Sequence, residues 1–83
     1  MSAKSKLINA FVNALEVPES EVNESLQYNE HKKWDSTAHM ILIAQLENEF
    51  DVMLDIDDII DMSSFVKAQE ILLKYNNELL FTS

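Results

Sequence analysis

Neither glycine nor cysteine occurs anywhere in this chain of 83 residues, and those two gaps restrict its fold and chemistry more than any motif it carries. Without glycine, the two-residue turns that close β-hairpins lose their usual occupant, which points away from an antiparallel sheet. The same gap removes the glycine-rich loops that cradle phosphates in P-loop and dinucleotide-binding proteins. Without cysteine there is no disulfide framework, thiolate nucleophile or zinc–thiolate site. Such a length fits one domain, 1–83, with little room for the large concave pocket that enzymes need, so independent catalysis is not expected.

What remains is a helical pattern. Leu7, Ile8, Phe11, Val12 and Leu15 share one face of a first helix over Ser5 to Glu16, which Val17-Pro18 ends. Glu19 to Lys33 is polar with isolated Val22, Leu26 and Tyr28, and reads as a long loop pinned by those three. A loop of that length in so small a domain is either functional or a helix in disguise. A second helix is expected from Ser36 to Phe50 with Asp35 as its N-cap. A short one follows at Asp55–Asp61, and Ser63 or Ser64 caps a fourth from Phe65 to about Tyr75. The tail from Asn76, with Leu79, Leu80 and Phe81, either extends that helix or frays. The expected fold is all-α, a small four-helix bundle of three main helices and one short one.

Six Lys against fifteen Asp and Glu give a net charge of −9. That balance excludes the basic footprint of a nucleic-acid binder and disfavours anionic membrane surfaces. The 47% of hydrophobic residues suffices for a packed core, so an acidic disordered tail is excluded as well. The longest apolar run, Met40 to Ala44, is far too short to span a bilayer, and no signal-peptide pattern opens the chain. A cytoplasmic monomer is expected. The charge is also segregated: Trp34 to Val66 holds eight acids and no base, and the other fifty residues are nearly neutral. Such a segment suits a partner with a basic patch. Asp55, Asp57 and Asp61 loosely imitate an EF-hand loop, but Ile60 stands where its turn glycine belongs and Val66 where its bidentate Glu belongs. His31 and His39, eight apart, do not share a helical turn, so no metal site is expected.

On the second helix, Leu42, Ile43, Leu46 and Phe50 form a core arc that His39 joins at one end. Met40, Ile41 and Ala44 lie on a different arc with Ser36, Thr37, Glu47 and Asn48. Periodicity does not choose between packing that arc against another helix and exposing it as an acid-rimmed docking strip. Ser36, at a helix N-terminus, occupies a place where backbone N–H groups and the helix dipole favour a negative group such as a phosphate ester. The Asp35-Ser36 pair taken alone reads equally as a plain helix start. No glycine elbow or Ser/His/Asp constellation supports Ser36 as a hydrolytic nucleophile.

The run Trp34-Asp35-Ser36-Thr37-Ala38-His39, continued by Leu42-Ile43-Ala44-Gln45-Leu46-Glu47-Asn48-Glu49-Phe50-Asp51-Val52, resembles the second helix of acyl carrier proteins and related peptidyl carrier domains. The resemblance extends over nearly the whole chain, through Val17-Pro18, Leu26, the acidic stretch to Asp61 and Ser63-Ser64-Phe65. It implies that Ser36 carries 4′-phosphopantetheine through a phosphodiester, with Asp35 capping the helix beneath it. It also implies a cargo, acyl or aminoacyl, held as a thioester on the cofactor. The implied partners are a phosphopantetheinyl transferase, a loading ligase and downstream acyl-processing enzymes. They would meet Thr37, Met40, Ile41, Ala44 and Glu47, with Asp57 and Asp58 extending the surface. The chain departs from the family at Thr37, where Leu is usual, at Asp51, where Gly is common, and at Ile41 and Asn48, which are often acidic. Trp34-Asp35-Ser36 with His39 looks closer to stand-alone carriers of specialised biosynthetic pathways. His39 is expected either at the mouth of an acyl pocket or in a structural hydrogen bond, and Trp34 as a packing anchor. The alternative from another class is an acidic helical inhibitor or adaptor that binds a basic enzyme surface without covalent modification.

Overall fold

A computed structural model describes residues 3–28 and 30–75. Among these residues four α-helices follow one another: α1 (Ala3–Leu15), α2 (Ser36–Phe50), α3 (Ile56–Asp61) and α4 (Phe65–Tyr75). The result is a small all-α domain of three main helices and one short one. The sequence places the tail from Asn76 on or beyond the last helix; that stretch lies outside the described residues.

The apolar spacing of α1 buries Leu7, Ala10, Phe11, Ala14 and Leu15, and its closest helical neighbour is α2. Phe11 stands edge-on between Trp34 and Phe65, with ring centroids 5.3 and 5.2 Å away. That one side chain therefore ties α1 to the start of α2 and to the start of α4. The helix stops at Leu15 rather than at the expected Glu16. Glu16 still donates its amide to the Val12 carbonyl at 2.9 Å, but its φ of 55° lies in the left-handed region that commonly terminates helices. Asp51 repeats the device at the end of α2, with φ 53° and its amide on the Glu47 carbonyl. A chain without glycine thus ends α1 and α2 on acidic residues in a glycine conformation.

The long connection after α1 is not a disguised helix. It opens with a 3-10 turn, Glu19–Glu21, and buries Val22 and Leu26. It is then fastened to the α3–α4 junction: Tyr28 donates its amide to the Ser63 carbonyl at 2.8 Å, and Phe65 to the Leu26 carbonyl at 3.1 Å. An isolated antiparallel bridge, Gln27 with Ser64, lies between these bonds. The loop's backbone groups thereby find partners without a helix. Of the two candidate serine caps for α4, Ser64 supplies the bond, its Oγ accepting from the Lys67 amide at 2.9 Å.

Candidate functional site

The start of α2 is set by Asp35, whose Oδ1 accepts the Ala38 amide at 2.8 Å while its backbone carbonyl accepts from His39, also at 2.8 Å. The first bond satisfies an amide that a helix N-terminus leaves open, the second is the first backbone bond of the helix, and together they fix where the first turn begins. Ser36 is therefore the first residue of the helix, and it is exposed.

Two surfaces meet at Ser36. One is a shallow apolar face formed by Thr37, Met40, Ile41 and Ala44. Met40 is 58% exposed and Ile41 46%, so the second arc of α2 faces outward instead of packing on another helix. The other surface is a groove of about 350 Å³ between α2 and α3, lined by Tyr28, Ser36, His39, Met40, Ile59, Ile60, Met62 and Ser63.

His39 lines that groove and makes two hydrogen bonds, the structural role expected of it. Trp34, buried as an anchor, donates its indole Nε1–H to His39 Nδ1 at 2.9 Å. An indole N–H can only donate, so Nδ1 is the acceptor and the imidazole proton belongs on Nε2. His39 Nε2 then donates to the Ile59 carbonyl at 2.7 Å. The two ring planes lie at 28° to one another, with centroids 5.9 Å apart. A relay thus runs from the core, through His39, to the backbone of α3.

The acids are less uniform than the sequence suggests. Asp57, on α3, is exposed, and so are Glu49 on α2 and Asp51 and Asp55 in the link between the two helices. Glu47, expected at the edge of the docking strip, is half-buried and accepts the Leu54 amide on Oε2 at 3.0 Å, which shapes the link after α2. Asp58 differs most from the expectation of an outward docking acid. Its side chain is only 10% exposed, and its two oxygens face Lys74 Nζ and the Tyr75 hydroxyl at 2.5 Å each. The bond from Lys74 and then that from Tyr75 hold the Asp58 carboxyl below its ordinary value of 3.8. The same contacts raise the Lys74 ammonium and the Tyr75 phenol, each chiefly through its hydrogen bond to Asp58. A short helix made only of aspartates and isoleucines gives no local sign of which acid turns in; Lys74 and Tyr75, sixteen and seventeen residues away, decide it. The groove residues Tyr28, Ile59, Ile60 and Met62 escaped sequence reasoning for the same reason, because three separate segments bring them together.

Among the described residues no group of three or more His, Asp or Glu side chains is placed to hold a metal ion. Among them, too, no helix is long and apolar enough to cross a membrane. Comparison with family models, with curated proteins and with solved structures gives no match for this chain.

Proposed function

We propose that this chain is a carrier domain, modified on Ser36 with 4′-phosphopantetheine and visited by a series of biosynthetic enzymes. The observation that carries the reading is the setting of one hydroxyl. Ser36 opens a firmly capped helix, is exposed to an incoming enzyme, and lies between an apolar docking face and a groove. The residues fit the group. No side chain encloses Ser36, and the amides of a helix start favour the negative phosphodiester that attachment creates. In the attachment step the Ser36 oxygen forms a bond to the phosphorus bearing the pantetheine arm of coenzyme A. The serine proton passes to the transferase, and the nucleotide bisphosphate leaves. When bound, the group supplies a terminal thiol for a thioester, which this cysteine-free chain lacks.

Within this reading each neighbour has a task. Asp35 holds the first turn and so the direction of the Ser36 side chain. Thr37, Met40, Ile41 and Ala44 offer apolar contact to a transferase, a loading ligase and acyl-processing enzymes; methionine adapts its shape to several surfaces. Asp57 and the neighbouring exposed acids orient partners that carry basic patches, chiefly through the rate of encounter.

The test is mass spectrometry after incubation of the purified chain with coenzyme A and several broad-specificity phosphopantetheinyl transferases. One phosphopantetheine mass should be added, and Ser36→Ala should add none. Failure of every transferase on a folded Ser36 chain supports instead an acidic helical inhibitor or adaptor, which uses the same acids unmodified.

A further inference from the structure

Ser36 and Met40 are the two residues that line both the apolar face and the groove. They stand four apart on α2, and side chains in a helix lean towards its N-terminal end. The Met40 thioether is therefore carried towards the turn that Ser36 opens. Met40 is 58% exposed, Met53 in the link after α2 is 86% exposed, and Met62 just after α3 is 1% exposed. The chain has no cysteine, so no thiol of its own competes for a mild oxidant, and the oxidisable ring of Trp34 is buried. Met53 lines neither surface. Among the described residues, Met40 is thus the one accessible thioether beside the serine.

We propose that Met40 is a redox gate on Ser36: hydrogen peroxide converts its thioether to the sulfoxide, and the sulfoxide withholds the serine from modification. The gate rests on the reading of Ser36 as the attachment site. In the oxidation a lone pair of the Met40 sulfur attacks one peroxide oxygen and forms an S–O bond. The O–O bond breaks, and the other oxygen leaves as water with both protons. The sulfur loses two electrons and the peroxide gains them, and a polar acceptor stands where an apolar side chain stood. On the outer side the new oxygen lies amid Thr37, Ile41 and Ala44, where a partner covering that face must leave it unpaired or bring a donor. On the inner side it comes one helical turn from the Ser36 hydroxyl, which can donate to it. The proton that attachment must remove is then engaged, and the hydroxyl is turned towards Met40 instead of towards an incoming phosphorus. Both effects act in one direction. The change is reversible, because sulfoxide reductases restore the thioether at the expense of a dithiol.

The test is graded hydrogen peroxide on the full chain, then removal of the peroxide and incubation with coenzyme A and a phosphopantetheinyl transferase. Peptide mass spectrometry should show added oxygen on Met40 and Met53 before any on the buried Met62. The rate of phosphopantetheine addition should fall about five- to tenfold in step with oxidation of Met40. Sulfoxide reductases acting on both epimers should restore it. In Met40→Leu, an apolar swap of similar volume, treated and untreated samples should be modified at the same rate, whatever that rate is. Met53→Leu should keep the full sensitivity of the parent chain. A fall that follows Met53, or that persists in Met40→Leu, would overturn the gate. An undiminished rate on chain fully oxidised at Met40 would overturn it too, and would leave the carrier reading intact. If no transferase modifies the untreated chain, the carrier reading itself fails and the gate falls with it.

Discussion

The helices α1 and α3 are held to the same core by opposite means. α1 turns three large apolar side chains, Leu7, Phe11 and Leu15, fully inward, each worth roughly 1.5–3 kcal/mol of removal from water. Those contacts involve no titratable group, and dense packing leaves them few alternative arrangements. α3 keeps its isoleucines outside and turns a carboxylate inward, relying on directional bonds to Lys74, Tyr75 and His39. Directional bonds fix geometry, but their net contribution is modest, because the same groups are satisfied by water when the helix leaves. The difference separates helices packed by apolar burial, α1 with α2, from a short helix held mainly by polar contacts beside the exposed serine.

The comparison breaks most visibly at Phe11. Phe11→Ala empties a site touching both Trp34 and Phe65 and should cost about 3–5 kcal/mol, measured by urea unfolding. In a domain whose total stability is on the order of 5–15 kcal/mol, that loss threatens folding as a whole, and it should be the same at acid and neutral pH. If Phe11→Ala loosened α1 alone, leaving α2 and α4 protected from hydrogen exchange, α1 and α2 would not share one core.

The polar contacts that hold α3 should behave differently, with a dependence on pH. The Asp58 carboxyl is depressed by Lys74 and then Tyr75, so the stability it contributes is complete above its ordinary value of 3.8. That contribution is lost as the pH falls through its lower folded value. Lys74 and Tyr75 are raised, so their share is intact below the ordinary values of 10.5 and 10.0. It disappears as the pH rises through their higher folded values. Protection of the α3 amides should therefore hold between those limits and weaken at both extremes. Asp58→Asn should lower the plateau and flatten its acid edge, by less than the loss at Phe11. An acid edge that stays as steep in Asp58→Asn would assign it to another carboxylate.

The same division governs what can be read from the sequence. Everything fixed by neighbours three or four residues away was legible: the apolar face of α1, the Asp35 cap, the core arc Leu42, Ile43, Leu46 and Phe50, and the all-helical class. With Asp35 in place, the exposure of Ser36 at the first turn follows from local rules. The outward turn of Met40, Ile41 and Ala44 did not, because periodicity defines an arc without saying which surface meets it. Asp58 was misjudged as a docking acid, since only the distant Lys74 and Tyr75 make burial of that carboxylate tolerable. Likewise the fastening of the polar loop through Tyr28 and Ser63 joins segments thirty-five residues apart, beyond any helical spacing.

The smallest expected effect concerns how α1 and α2 end. Glu16 and Asp51 both adopt left-handed backbone, which costs a residue bearing a Cβ roughly 1–2 kcal/mol relative to glycine. Glycine also gains more freedom on unfolding, which offsets part of that difference. Glu16→Gly should therefore stabilise the domain by about 0.5–1 kcal/mol in urea unfolding. Asp51→Gly should gain less, because aspartate tolerates this conformation better than glutamate does. The gain at Glu16 should appear in the exchange of α1 and α2 amides that open only with the whole domain. Exchange of Ile59 and Ile60 should stay unchanged, since their opening leaves the end of α1 in place. If Glu16→Gly slowed exchange in α3 to the same extent, the two regions would share one opening and the different ways in which they are held would not separate their stabilities.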